Sequence, residues 1–212
     1  MTSPAQQRRA VEPDPALDDL VRRAQLGELP AFNSIVLRYQ DAVYSLVLRM
    51  LSQREAAEDV TQEAFVSAWR HIGTFRGGSF RSWLFTIAAN RARDELRKGG
   101  RRPTTSLDAA RDDPNRADLD PPDDGPSPEG AVEQAEMRAA LESALAELPD
   151  DWREVIVLSD IHGMDYAEIA GATGVALGTV KSRLSRARSR LREVVLASRE
   201  LTDAAQRSSD RR

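Results

Sequence analysis

The chain has 212 residues, a formal net charge of −4, 41% hydrophobic and 5% aromatic residues, and no cysteine. That length holds one ordinary domain or two small ones, and the missing thiols exclude disulfides and thiolate metal sites. No apolar run nears the roughly 20 residues that cross a bilayer, and residues 1–15 lack the apolar centre of a secretory signal, so the expected location is the cytoplasm, with no membrane insertion.

Abundant Ala, Leu, Arg and Glu with few β-branched runs predict an all-α fold. The first block, 16–98, reads as four helices. A short one over 17–26 stops at Gly27. A long one after Pro30 carries Phe32, Ile35, Val36, Tyr39, Val43, Leu46, Val47 and Met50 on one stripe, in steps of three and four. A third, over 53–71, buries Val60, Ala64 and Ala68. The glycine-bearing loop 73–78 follows, and Ser79 caps a fourth helix with Phe80, Trp83, Leu84, Ile87, Ala88 and Leu96 inward.

Residues 99–130 read as a flexible linker. Asp112, Asp113, Asp118, Asp120, Asp123, Asp124 and Glu129 face one cation, Arg116, and five prolines interrupt them. Such a segment buries too little apolar surface to offset its chain entropy. The second block, 131–196, is again helical, with Met137, Leu141, Leu145 and Leu148 as one stripe, then Trp152, Val155 and Ile156. Residues 1–15 and 197–212 are expected to be disordered ends. The fold class is thus two small helical domains joined by an acidic strap.

The strongest local signal runs from Asp165 to Arg188. Ala170 is small where two helices cross, Gly174 supplies a turn that needs positive φ, and Val175 and Val180 pack back on Ile169. This is the spacing of a helix-turn-helix, whose second helix enters a major groove. From Lys181 to Arg192 there are six cations and no acid. Lys181, Ser182, Ser185 and Arg186 share an exposed face that reaches base edges, while Arg183 and Arg188 point around the sides, where phosphates lie.

The first block carries further candidates. Asp59, Gln62, Glu63 and Val66 lie opposite the core side of the third helix, either as a merely solvated face or as a docking surface. Asn90, Arg93 and Arg97 share one line of the fourth helix, and Phe75 stands beside flexible glycines. An exposed aromatic, a cationic helix face and a loop suit unpaired bases. The alternative for Phe75 is packing on the core.

The stretches 59–69 (DVTQEAFVSAW) and 75–90 (FRGGSFRSWLFTIAAN) resemble region 2 of sigma-70-type factors of the extracytoplasmic-function (ECF) group, and 165–188 resembles their region 4. The likeness covers nearly all of 16–196 in the family's order. It implies that Asp59, Gln62, Glu63 and Val66 dock on the β′ clamp coiled coil of core RNA polymerase. It implies that Phe75, Arg76, Gly77, Ser79, Asn90, Arg93 and Arg97 hold the melted −10 strand, and that Lys181, Ser182, Arg183, Ser185, Arg186 and Arg188 bind the −35 element of promoter DNA. The second block would also sit on the β flap, and an anti-sigma factor is an implied partner. The loop 75–80 is a residue shorter than in many relatives, so no single residue is assigned to a flipped base.

Two rivals are weighed. A helix-turn-helix regulator acting without core polymerase would share the second block, but its sensor domain would need strands or an apolar pocket. An enzyme would need a P-loop, an HExxH or a nucleophile motif, and none is present. His71 and His162 lie far apart near helix ends, the acids lack calcium-loop spacing, and the expectation is no catalytic residue, no metal and no cofactor.

Overall fold

The computed structural model describes residues 14–99 and 139–209, with side chains to 195; the acidic strap and the first residues fall outside this range. Among the described residues every regular element is helical. Helix α1, Pro15–Gln25, starts where the Asp14 side chain accepts the Leu17 N–H at 3.0 Å and Pro15 occupies the first turn. Helix α2, Leu29–Leu51, ends at Ser52, whose φ of 57° turns the chain sharply. Helix α3, Arg54–His71, passes through a single 3-10 turn, Ile72–Thr74, and α4 spans Phe80–Gly99. The Ser79 hydroxyl accepts the Ser82 N–H at 3.1 Å and so caps α4, as its position predicts.

In the second block α5 covers 139–146 and α6 covers Asp150–Ile156. One wider π-helical turn, Val157–Ile161, extends α6. Helix α7, Tyr166–Thr173, begins with a capping box in which Asp165 and Glu168 satisfy each other's backbone N–H groups. It closes at Gly174, whose φ of 70° is the left-handed conformation the turn demands. Helix α8 runs from Leu177 to Ser209. The tail expected to be disordered from 197 is therefore a continuation of α8 through Ser209. Ala, Leu, Arg, Glu and Gln sustain a helix there, with no glycine or proline to stop it.

The α2 stripe is buried as its period predicts: Ile35, Val43, Leu46 and Val47 have no exposed surface. The two blocks do not stand apart. Leu145, Leu148, Val155, Leu158, Ile169, Val180 and Leu184 belong to the same continuous core as α1–α4. Helix α4 is buried on two sides, against α2 and α3 of its own block and against α7 of the other. Phe85, Ala89 and Ala92, absent from the predicted stripe of α4, are fully buried for this reason.

The junction is polar as well as apolar. Arg153, 8% exposed, donates to the carbonyls of Leu145, Ala146 and Leu148, and across the junction to Met50 O, each at 2.9 Å. One guanidinium thus satisfies the carboxyl ends of two helices from different blocks. Arg49 Nε meets Glu142 Oε1 at 2.9 Å beside it.

Candidate nucleic-acid interface

The helix-turn-helix is built as its spacing predicts. Ile169 and Val180 are fully buried, and Val175 packs partly against them. With Val180, Leu184 and Ala187 inward, α8 turns Lys181, Ser182, Ser185 and Arg186 to solvent. Among the described residues neither Lys181 nor Arg186 has an ion-pair partner. The Ser182 hydroxyl donates to Thr179 O at 3.0 Å, which orients its lone pairs outward.

The two flanking cations expected to serve the same face are differently placed. Arg183 is half-buried and pairs with Asp151 at 3.0 Å. Arg188 makes a two-pronged contact with Asp160, Nε to Oδ2 at 2.8 Å and Nη2 to Oδ1 at 2.6 Å, which raises the guanidinium pKa further. Both charges are offset by acids of the α6 segment. Sequence spacing shows which way a side chain leaves its helix, but not which distant acid awaits it.

In the first block Asp59, Gln62, Glu63 and Val66 are all exposed, Val66 at 49%. They line one open groove of about 560 Å³ with Ser67, Arg70 and Arg91. Arg91 Nη2 reaches Ser67 Oγ at 3.3 Å and forms the far wall. An apolar side chain ringed by carboxylates, an amide and two guanidiniums suits a surface carrying charges of both signs. Arg70 continues the three-and-four spacing of Asp59, Glu63 and Val66, so the sequence carried a signal for it. Arg91 comes from α4, and only the packing of α4 on α3 brings it here.

The loop before α4 is held rather than free. The Gln25 amide donates to Ile72 O at 3.1 Å and Phe75 O at 2.9 Å, and Arg76 Nη1 donates to Gly73 O at 2.8 Å. Gly77 and Gly78 follow with φ of 103° and 88°. The expectation of an exposed Phe75 is corrected: the ring is half-buried, 5.4 Å from Phe80 and 5.6 Å from Trp83. Edge-to-face packing in this cluster wins over exposure. Arg76 and Gly77 are exposed and Ser79 is half-buried.

The expected line of Asn90, Arg93 and Arg97 divides. Asn90 is exposed and accepts a hydrogen bond from Arg93. Arg97 is exposed and pairs with Asp94 at 3.4 Å. Arg93 is not on an open face. It lies against the second block, donating to Ala172 O at 2.6 Å, with Nε 2.9 Å from Glu154 Oε1 in an ion pair that is off the hydrogen-bond direction. Glu154 is 4% exposed, and its burial, opposed by the charges of Arg93 and Arg183, pushes its pKa up to about 7. Nearby His162 packs edge-on to Phe85, 4.9 Å between centroids, and burial lowers its pKa to about 3, so the ring is neutral.

A helix-turn-helix with an open face of hydroxyls and cations, attached to a helical block with a charged groove, defines the class: a two-part, all-helical DNA-binding transcription factor. The Sigma-70 region 2 family matches residues 35–102 and the Sigma-70 region 4 family matches 138–191. The RNA polymerase sigma-H factor of Pseudomonas aeruginosa is 38% identical over 176 residues, 80% of this chain and 88% of that one. The ECF RNA polymerase sigma-E factor of Escherichia coli K12 is 39% identical over 170 residues, with the same two coverages. Among solved structures, CnrH in complex with the cytosolic domain of CnrY matches with a TM-score of 0.58 and 28% identity, over 86% of this chain and 98% of that one. The sigma factor RpoE of Bartonella quintana, in complex with the anti-sigma factor NepR, matches with a TM-score of 0.56 and 28% identity, over 77% and 96%. The chain belongs to the ECF group of sigma-70-type RNA polymerase sigma factors.

Proposed function

We propose that this sigma factor docks on the β′ clamp coiled coil of core RNA polymerase through the groove of Asp59, Gln62, Glu63 and Val66, and selects promoters in two places. The α8 face of Lys181, Ser182, Ser185 and Arg186 reads the −35 element in the major groove, with the second block seated on the β flap. The loop of Arg76, Gly77 and Ser79, with Asn90 and Arg97, holds the melted −10 strand. The observation that carries this reading is the open α8 face: two cations and two hydroxyls at groove-reading spacing, left without ion-pair partners while the flanking arginines are neutralised.

Each DNA contact is small, and simultaneous engagement on one enzyme turns them into a single spaced recognition. The chain supplies positioning and hydrogen bonds, not bond-making chemistry, so the catalytic step belongs to the core enzyme. The factor works where that enzyme is, in the cytoplasm, and responds to stress or the state of the cell envelope. Two fold neighbours were solved with the proteins named CnrY and NepR bound, and an anti-sigma factor is the matching partner here. Transcription in vitro with purified core enzyme and a promoter library tests the reading. The expected result is initiation at promoters sharing two spaced elements; no association with core enzyme in the absence of any inhibitor overturns it.

A further inference from the structure

We propose that Gln25 is a positioning residue for promoter opening: from the last turn of α1 it fixes the loop that receives the melted −10 strand, without touching DNA itself. This role rests on the reading of that loop as the seat of the −10 strand. An amide nitrogen carries two hydrogens, and here both are used. Gln25 Nε2 donates to Ile72 O at 3.1 Å and to Phe75 O at 2.9 Å, across 47 and 50 positions of sequence. Those carbonyls are the two ends of one turn, which the Phe75 N–H closes by donating to Ile72 O at 3.1 Å. The Gln25 side chain therefore staples the turn from outside it. Thr74 Oγ1 donates to His71 O at 2.7 Å and Arg76 Nη1 to Gly73 O at 2.8 Å. The carbonyls of His71, Ile72, Gly73 and Phe75 are all satisfied within the chain.

Beyond the staple, the loop has little else to define it. Gly77 and Gly78 stand at φ of 103° and 88°, with no side chain to lean on a neighbour. The far end is set by the Ser79 cap of α4. The near end is set at Phe75, whose ring packs on Phe80 and Trp83 and whose carbonyl is held by Gln25. The peptide after Phe75 leads into Arg76 and Gly77, so its orientation decides where both meet the strand. A loop free to swing has to be ordered at the moment of binding, and that lost freedom weakens affinity. Gln25 is itself exposed, so its contribution lies in these two bonds and not in core packing. The corner that follows α1 is tied as well: Arg23 Nη2 meets Glu28 Oε2 at 2.8 Å across the turn at Gly27.

Holoenzyme assembled from the full chain and core enzyme allows a test. It is titrated with a single-stranded oligonucleotide bearing the −10 bases of a promoter selected from the library, and with one in which those bases are scrambled. Gln25→Met keeps the length of the side chain and removes both donors. It should weaken binding of the selected strand about tenfold, while binding of the scrambled strand and of core enzyme stays as in wild type. Gln25→Glu, which sets acceptor oxygens against two carbonyls, should be at least as poor. Amide exchange at Phe75 and Arg76 in the free full chain should quicken in both variants, with α2 unchanged. A role in folding alone would lower the fraction of active holoenzyme and keep the selected-to-scrambled ratio, and that result overturns the proposal. So does a Gln25→Met variant that binds the selected strand as wild type does, or one whose loop exchanges no faster. Wild-type holoenzyme that fails to tell the two strands apart, with exchange still quickened by Gln25→Met, would sink the reading of the loop and this role with it, while the staple itself stands.

Discussion

Arg153 of the second block and Met50 of the first are joined by one hydrogen bond, Nη1 to the Met50 carbonyl at 2.9 Å, inside a junction closed to solvent. The remaining donors of the same guanidinium finish the end of α5. Replacing Arg153 with Met keeps much of the stem volume but strands four carbonyl oxygens. A loss of about 3–5 kcal/mol in unfolding free energy is expected, measured by urea denaturation. Arg153→Lys should fall between, because three ammonium donors cannot serve four acceptors.

The α8 face and the α3 groove should separate by phenotype. Lys181→Ala and Arg186→Ala are expected to relax −35 selectivity by about 1–3 kcal/mol at the base pair read, with strand opening little changed. Gln62→Ala should weaken binding to core enzyme and leave promoter preference intact. Competition between promoters in one transcription reaction, beside direct core-binding titrations, distinguishes them. The reverse assignment of defects would show that the two blocks have each other's roles.

Asp160 restrains Arg188, so Asp160→Asn should release a cation beside the DNA-reading face. Holoenzyme carrying this variant is expected to bind promoter DNA with a log K against log salt slope steeper by about one, and unchanged base preference. An unaltered slope would mean that Arg188 stays away from phosphate even when free.

Glu154 and His162 should make the response to acid depend on which of them is present. Glu154 is raised from 4.5 to about 7, so its stabilising contribution is complete below pH 4.5 and lost as pH rises through 7. His162 is lowered from 6.5 to about 3, so its contribution is complete above pH 6.5 and lost as pH falls towards 3. From 6.5 to 4.5 the two oppose each other. Relative to wild type, His162→Gln should therefore gain Tm as pH falls through this window, and Glu154→Gln should lose it. Thermal melts at constant ionic strength give both slopes, and parallel curves for all three proteins would contradict the assignment.

Local structure was legible because neighbours in sequence create it. The α2 stripe follows from a period of three and four, the α4 cap from Ser79 preceding an apolar helix, and the turn from Gly174 at a position requiring positive φ. The outward face of α8 follows from the same periodicity. Periodicity alone leaves Phe85, Ala89 and Ala92 out of the α4 stripe, since a helix covered on two sides buries more than one stripe.

What the sequence by itself determined is therefore the run of helices up to the end of the second block, the Ser79 cap, the helix-turn-helix and the outward face of α8, all of them consequences of spacing along one chain. The tertiary structure alone decided which cations remain available. Arg93, Arg183 and Arg188 look like Lys181 and Arg186 in the sequence, yet each has found an acid far along the chain. Coulomb attraction and desolvation depend on distance in space, and the approach of α4, α6 and α8 that sets those distances is a property of the packed core.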